Sequence, residues 1–253
     1  LNEARERPSY TLILCGVAAV GLVFSFVSQN PVAIGIFVAL LVAAYAIGNM
    51  LDIPRRNVVF AYNLEPAAEE RYKALVGAID RIAGSSKVWF VKAKGDITNL
   101  HAWKKNSGAS ALVDNKETSV SYALPPGVAS NVTPPVIMID GKKCYFFPDC
   151  ILIEENKRFG AVRYETIRTA VRDQRMIMDS APSDATVVGQ TWKYVNKKGG
   201  PDRRFSNNPV LPIMLYSNLD LTSAQGLNWR VQCSRPDAAP ALNATLSRMA
   251  ILA

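Results

Sequence analysis

The sequence predicts an α+β protein, in which an N-terminal transmembrane helical hairpin precedes a mainly antiparallel β domain with a C-terminal helix. Three observations predict this fold class. No charged residue occurs from Pro8 to Leu51, although 20% of the whole chain is charged. The remainder contains many short strand-like segments separated by turn residues. After them a helical pattern begins at Pro236 and Asp237 and runs toward Ala250, with Asp237 as a suitable cap.

The uncharged stretch contains two apolar runs, Tyr10–Ser28 and Val32–Leu51. Each is long enough for a membrane span, since a helix needs about 20 residues to cross the hydrocarbon core. A short polar turn with Pro31 separates them, which favours a tight hairpin of helices. Backbone groups in lipid must be satisfied within the segment, and a helix does this. A cleaved signal peptide is the alternative interpretation of the first run, although a second span follows at once.

Arginines flank the hairpin on both sides and are absent from its turn. Arg5 and Arg7 precede the first run, and Arg55 and Arg56 follow the second. The positive-inside rule therefore predicts a multi-pass protein of the cell inner membrane with both termini in the cytoplasm. The predicted segments are a cytoplasmic N-terminal segment (residues 1–9), the hairpin (10–51), a basic linker (52–57) and a cytoplasmic α+β domain (58–253).

Three cysteines, Cys144, Cys150 and Cys233, lie in the predicted cytoplasmic domain. An odd number favours a reducing compartment over a disulfide framework. There is no CxxC pair, and His101 is the only histidine, so we predict neither a metal site nor a cofactor. The first residue is Leu1 rather than Met, so we expect a fragment, a truncation or a processed end.

Small residues recur at spacing four on the second apolar run, at Gly35, Ala39 and Ala43. Such a face allows two helices to approach closely. It is predicted to pack either against the first helix or against another copy of the protein. No Asp, Glu, Lys, Arg or His lies in either run, which argues against a proton or ion relay.

The domain after the hairpin begins with a predicted strand–helix–strand preface at Asn57–Tyr62, Glu65–Ala83 and Lys87–Ala93. The pair Asp140-Gly141 is a strong hairpin signal. Further strands are predicted at Val136–Ile139, Lys143–Phe147, Cys150–Glu154, Phe159–Tyr164, Thr186–Val195, Val210–Leu221 and Leu227–Cys233. Serial strands with one closing helix suggest a roll or small barrel, in an order similar to pleckstrin-homology and GRAM-like domains.

A long motif, WxYVNKxGGPDRRFxNN, runs from Trp192 to Asn208. It resembles an uncharacterised domain of bacterial and phage-associated proteins, over about residues 58 to 235. The segments that share the resemblance are Tyr145–Asp149, Phe159–Glu165, Leu211–Tyr216, Trp103–Asn106 and Gly108–Ala109. The resemblance implies a portable binding or regulatory module and supplies no catalytic residues. Cys150 stands where the resemblance leads us to expect a basic residue.

The formal charge is +8, and the whole excess follows the hairpin. Basic domains beside a membrane are attracted to anionic lipid or nucleic acid. The four tryptophans are scattered, so we do not predict a nucleic-acid platform. The candidate ligand site is a loop that combines glycines with cations and suits a phosphate or lipid headgroup. Its residues are Lys197, Lys198, Gly199, Gly200, Arg203 and Arg204. The alternative is a structured turn between strands, in which Asp202 pairs with an arginine.

No nucleophile elbow, Walker loop or dinucleotide fingerprint occurs, so no catalytic residues are predicted. We predict a membrane-anchored cytoplasmic binding or regulatory module that recognises a phosphate-bearing or lipid ligand or a partner protein. The predicted partners are membrane lipids, a partner protein, or a second copy through the transmembrane helices. One alternative is a membrane effector whose domain senses a ligand and rearranges the helices. Another is an enzyme with an unfamiliar site.

Overall fold

The computed structural model describes residues 1–96 and 111–251 of the chain. It confirms the α+β class, with two long apolar N-terminal helices and mainly antiparallel sheets. The chain divides into two compact units, which are described separately. The hairpin unit comprises residues 1–62 and 124–133, and the sheet unit comprises residues 63–123 and 134–253. The predicted domain boundary at residue 58 differs from this division, because a later segment, 124–133, belongs to the first unit.

The helices of the hairpin unit are α1 (Asn2–Glu6), α2 (Tyr10–Val27) and α3 (Pro31–Arg56). Polar side chains fix the starts of both long helices. The Ser9 hydroxyl accepts a hydrogen bond from the N–H of Leu12 at 3.2 Å. The Asn30 side chain accepts from the N–H groups of Val32 and Ala33 at 3.1 and 3.2 Å. These caps satisfy backbone donors that have no partner inside a helix.

The two long helices pack along one stripe each, with residues spaced alternately by three and four. All members of these stripes are buried or half-buried, and they are Thr11, Cys15, Ala18, Leu22 and Ser25 on α2, and Ile34, Phe37, Leu41, Ala44 and Gly48 on α3. Two glycines permit the contact. A Cβ on Gly48 would lie 2.4 Å from the Thr11 Cα, and one on Gly21 would lie 2.0 Å from the Phe37 ring. Small residues at such positions let helices approach closely.

The predicted packing of Gly35, Ala39 and Ala43 against the first helix is wrong. All three residues are exposed, and a Cβ on Gly35 would meet no atom within 4 Å. The helices pack through the neighbouring stripe instead, because that stripe places Gly48 against Thr11 and the Phe37 ring against Gly21.

The predicted linker at residues 52–57 is also corrected, since α3 continues through Arg56 with Pro54 inside it. Asp52 explains the extension. Its carboxylate is buried and accepts from the Ser9 hydroxyl at 2.6 Å, from the N–H of Tyr10 at 2.9 Å and from the Thr11 hydroxyl at 2.8 Å. These contacts tie the last turns of α3 to the start of α2.

The outward faces of the hairpin are apolar. Both helices are long and apolar enough to span a membrane. The most apolar 18 residues of each have a mean hydropathy of 2.3, and only 11% and 6% of these residues, respectively, are buried. Leu12, Phe24, Val27 and Met50 are each more than 70% exposed. A core helix of a soluble protein would bury such side chains.

A small parallel sheet completes the hairpin unit. Strand β1 (Val58–Phe60) pairs with β5 (Val128–Ser130), and the Asn131 side chain bonds both the N–H and the carbonyl of Tyr62. The predicted strand–helix–strand preface is therefore divided. Its first strand pairs with β5, whereas its helix and second strand belong to the sheet unit.

The sheet unit begins with helix α4 (Pro66–Ala83), as predicted. A five-stranded antiparallel sheet has the order β4-β6-β7-β8-β9. The strand bounds are β4 Val120–Tyr122, β6 Pro135–Ile139, β7 Lys142–Phe146, β8 Cys150–Glu155 and β9 Arg158–Arg163. Positive φ angles occur in two tight turns, at Asp140-Gly141 and at Asn156-Lys157. The first turn confirms the hairpin predicted at Asp140-Gly141, and the second joins the two strands predicted at Cys150–Glu154 and Phe159–Tyr164.

A second, six-stranded sheet has the order β10-β12-β13-β2-β3, with β11 also paired to β12. Its strands are β2 Val88–Asp96, β3 Ala111–Glu117, β10 Ile167–Ile177, β11 Thr186–Trp192, β12 Val210–Ser223 and β13 Asn228–Cys233. The C-terminal helix α5 (Ala238–Ile251) contacts this sheet and α4. Strand β10 was not predicted. In the described part of the chain no sheet closes into a barrel.

The core of the sheet unit is aromatic. Tyr145, Phe146 and Phe147 are all at most 1% exposed. The Tyr164 hydroxyl donates to the Phe147 carbonyl at 2.7 Å, and that of Tyr72 donates to the Phe146 carbonyl at 3.2 Å. Buried hydroxyls need such partners, and here they fix the strand end that precedes β8.

Candidate functional site

The predicted ligand loop lies in the sheet unit between β11 and β12. Tyr194 and Phe205 stack at its base with ring centroids 4.0 Å apart. The Asn208 side chain accepts from the N–H of Tyr194 and donates to its carbonyl, both at 2.8 Å. Asn208 thus fixes the backbone at Tyr194. The predicted strand Thr186–Val195 ends earlier, at Trp192.

Asn196 organises the glycine turn of this loop. Its side-chain oxygen accepts from the N–H groups of Lys198 at 2.8 Å and Gly200 at 3.1 Å. The N–H of Gly199 donates to the Asn196 carbonyl at 3.0 Å, and Gly199 has a φ of 82°. The turn therefore uses these N–H groups internally, and the glycines shape the loop rather than present donors to a phosphate.

The four cations of the loop fall into two classes. Arg204 is bound to the buried Asp202 through Nε at 3.0 Å and Nη2 at 2.6 Å, as the structured-turn alternative predicted. Lys197, Lys198 and Arg203 are exposed, and no ion pair involves them among the described residues. We name these three residues the loop cations. They carry whatever attraction the loop exerts on an anion.

Two further segments of the resemblance meet at a cavity of about 450 Å³. Pro148, Asp149 and Cys150 contribute one wall, and Ala161 and Arg163 contribute another. Burial, together with the charge and hydrogen bond of Asp149, raises the pKa of the Cys150 thiol to about 12. A thiol with this pKa is protonated at neutral pH, so Cys150 is a poor nucleophile.

A cluster of arginines lies on the six-stranded sheet and was missed by the sequence analysis. Arg230 donates through Nε and Nη2 to both carboxylate oxygens of Asp220, the second contact at 3.0 Å. The Nε of Arg172 lies 3.5 Å from the same carboxylate. With Arg168 these residues line a groove of about 420 Å³. Arginine and aspartate at these positions carry no local signal, because only the strand register brings them together.

Among the described residues no group of three or more His, Cys, Asp or Glu side chains is placed to hold a metal ion. All four cysteines are free thiols. His101, and with it the segment from Trp103 to Ala109 that shares the resemblance, lies outside the described residues.

No family model matches the chain, and comparison with curated proteins and with solved structures found no match. The resemblance to a bacterial and phage-associated domain therefore stays a prediction.

Proposed function

We propose that this protein is a membrane-anchored, non-catalytic binding module of the cell inner membrane. One observation carries the proposal, namely that the hairpin turns its large apolar side chains outward. Only 11% and 6% of the residues in the apolar segments of the first and second helix are buried. Lipid is the solvent in which such a surface is stable, because hydrocarbon neither repels apolar side chains nor competes for backbone hydrogen bonds.

The arginines support a hairpin with both termini in the cytoplasm. The Nη1 of Arg7 donates to the Arg55 carbonyl at 2.9 Å, and the Nη2 of Arg56 lies 3.4 Å from the Arg5 carbonyl. The guanidinium of Arg55 also lies over the Tyr10 ring at 4.0 Å. All four cations thus meet at one end of the hairpin, and the positive-inside rule assigns that end to the cytoplasm.

The ligand in this proposal is anionic, and the loop cations bind it. Three exposed cations without a shared carboxylate attract the headgroups of anionic lipids, each contributing roughly 1 kcal/mol near such a surface. A partner protein with an acidic surface would present the same chemistry. The predicted likeness to pleckstrin-homology domains remains a prediction and is not needed for this proposal.

Topology is tested with two matched serine-to-cysteine variants of the full chain. Ser28→Cys lies in the hairpin turn, and Ser206→Cys lies in the ligand loop; both positions are exposed. Introduced thiols are preferable because Cys144 and Cys233 are buried and Cys150 has a raised pKa. In spheroplasts an impermeant maleimide should label Ser28→Cys, and should label Ser206→Cys only after lysis. The reverse labelling pattern would show that the topology is inverted and that the sheet unit does not lie in the cytoplasm.

Lipid binding is tested with a dye on the Ser206→Cys variant of the full chain in nanodiscs that contain a lipid-borne quencher. We expect quenching with phosphatidylglycerol and little with phosphatidylcholine alone, and a decrease in salt because exposed charges are screened. Changing the three loop cations to Gln should abolish the difference. A control that changes Lys116, Lys143 and Arg175 to Gln removes the same charge elsewhere and should retain it. Equal quenching in both lipids would refute lipid recognition by the loop.

The second candidate function is a membrane effector, and the exposed face of Gly35, Ala39 and Ala43 favours it. In the part of the chain that the structure describes this face is exposed, so a second copy could pack there. Oxidation of an Ala39→Cys variant in membranes should then give a disulfide-linked dimer, and Gly35→Leu should prevent it. If the Ala39→Cys variant stayed monomeric with and without Gly35→Leu, an effector that dimerises through this face would be refuted.

A further inference from the structure

The arginine cluster lies on one face of the six-stranded sheet because of the strand register. Arg168 is opposite Thr222, which is opposite Asn228, and Ala170 is opposite Asp220, which is opposite Arg230. Residues directly opposite one another in antiparallel strands project to the same face, and so do residues two apart on one strand. Arg172 therefore joins Arg168 on this face. Together these side chains form the groove of about 420 Å³, which we name the arginine groove.

The groove holds more positive charge than its own carboxylate neutralises. Asp220 binds Arg230 through both oxygens and has Arg172 at 3.5 Å, whereas no ion pair involves Arg168 among the described residues. The described residues that line the groove include three guanidinium groups and one carboxylate, which leave a formal surplus of two positive charges. A purely stabilising ion pair needs one cation for each carboxylate, and extra like charges nearby are destabilising.

Asp220 also orients the cations. Its side chain is 16% exposed and that of Arg230 is 31% exposed, so both members of this ion pair are half-buried. The bidentate contact fixes the plane of the Arg230 guanidinium and leaves its remaining N–H groups free of Asp220. Guanidinium groups held in this way are suited to the oxygens of a phosphate, which they bind in a bidentate geometry. The Asn228 amide adds a neutral donor to the lining of the groove. The Thr222 hydroxyl also lines the groove, where it donates to the Arg168 carbonyl at 3.4 Å.

We propose that the arginine groove binds a phosphomonoester or pyrophosphate group. The surplus of two charges matches a phosphate dianion, and the volume of the groove lies within the range of about 300 to 1,000 Å³ typical of small-ligand sites. The site is independent of the loop cations and of the membrane anchor. The phosphate can belong to a soluble ester or to a phosphorylated lipid headgroup, because the groove recognises the same oxygens in both.

The test measures binding of pyrophosphate to the full chain in an uncharged maltoside detergent by titration calorimetry. The decisive variant is Arg168→Gln, because Arg168 has no ion-pair partner among the described residues and its loss should leave the fold intact. Its matched control is Arg175→Gln, which removes the same charge from the opposite face of strand β10. We expect the first change to weaken binding roughly tenfold to a hundredfold, the loss typical of a hydrogen bond to a charged group, and the second to leave it unchanged.

Two results would overturn the proposal. One is the absence of pyrophosphate binding by the unchanged protein up to millimolar concentration. The other is equal weakening by Arg168→Gln and Arg175→Gln, since that would indicate attraction to the overall charge rather than to the groove. Changing the loop cations to Gln should not alter pyrophosphate binding. The proposal for the arginine groove can therefore be refuted independently of the proposal that the loop cations bind lipid.

The source of the phosphate is resolved with the full chain in nanodiscs. If phosphatidate in the nanodisc prevents pyrophosphate from binding while phosphatidylcholine does not, the groove takes the headgroup of a phosphorylated lipid. If pyrophosphate binds equally in both, the groove takes a soluble phosphate ester. Both outcomes support the groove, and Arg168→Gln should remove the effect in each.

Discussion

The hairpin unit and the sheet unit distribute their side chains in opposite ways. In the hairpin the buried positions are small or polar, namely Ala18, Ser25, Gly48 and Asp52, while the valines and most of the leucines and phenylalanines face outward. In the sheet unit large aromatic and aliphatic side chains fill the interior. Burial of apolar surface drives folding only when the alternative is water. The difference is what the proposed function expects, since it places the hairpin in lipid and the sheet unit in water.

The largest effect is expected when the same charge is placed on two valines of similar exposure, one in each unit. Val20 on α2 is 59% exposed, and Val187 on β11 is 50% exposed. A lysine near the centre of a membrane span costs about 3 kcal/mol, whereas a lysine on a solvated strand is tolerated. Val20→Lys should therefore lower labelling of Ser28→Cys in spheroplasts at least about tenfold, since 1.4 kcal/mol is already a factor of ten.

Val187→Lys is the control for that experiment and should leave the thermal midpoint and the labelling pattern unchanged. If Val20→Lys inserted as well as the unchanged chain, the outward face of the hairpin would not meet lipid. The proposal that the hairpin anchors the protein in a membrane would then be wrong.

The second prediction concerns the contact between the helices, where the hairpin depends on small residues. Gly48→Leu places a side chain against the Thr11 backbone, 2.4 Å from its Cα even at the first atom. Backbone cannot move aside as a flexible side chain can, so overpacking should cost about 2 kcal/mol. The measurement is the thermal midpoint of the helical circular-dichroism signal in detergent. Gly35→Leu, on the same helix with no atom within 4 Å, should cost little. Equal losses at both positions would show that α2 and α3 pack through a different stripe.

A third, smaller effect is expected at the buried carboxylate of the hairpin. Asp52→Ala removes the acceptor for the Ser9 hydroxyl and for the N–H groups of Tyr10 and Thr11. Unpaired donors at a helix start are costly where water is scarce, so the midpoint should fall by about 4 °C. Asn49→Ala changes an exposed neighbour of Asp52 and should have no such effect. An unchanged midpoint for Asp52→Ala would mean that water or lipid headgroups already satisfy these donors.

The sequence predicted both helices of the hairpin and three of their four ends to within one residue, because a long run without charge is a local signal. The end of α3 lies five residues beyond the predicted Leu51, because the charged Asp52 is buried and bonded to the start of α2. The sequence did not predict which stripe the helices share. Every face of an apolar helix is a candidate, and the choice between Gly35 and Gly48 depends on what the other helix presents.

The motif forms a turn between two strands, as the structured-turn alternative predicted, whereas the sequence did not show how its glycines are used. Only the folded turn shows that Asn196 occupies the N–H of Gly200. Strand β10 was missed because Arg168, Arg172, Asp173 and Arg175 interrupt its apolar alternation. The strand forms because it pairs with β12 over its whole length, from Ile167 to Ile177. The arginine groove was missed for the same reason, since it exists only where β10, β12 and β13 are in register.

The smallest expected effects come from two glycines of the sheet unit that both have free space for a methyl group. Gly77 lies inside α4, and Gly199 lies in the ligand loop; a Cβ on either would meet no atom within 4 Å. Gly77→Ala should stabilise by up to about 1 kcal/mol, because alanine is the better helix former in a water-exposed helix. Gly199→Ala should destabilise by about 1 kcal/mol, because its φ of 82° disfavours a side chain. Denaturant unfolding followed by tryptophan fluorescence measures both, since Trp89 and Trp229 are buried in the six-stranded sheet.

Changes of opposite sign in the free energy of unfolding would show that backbone conformation, rather than free space, decides the effect of a substitution at these two glycines. Stabilisation by both changes would mean that the glycine turn adopts a different conformation, and the internal use of its N–H groups by Asn196 would have to be abandoned.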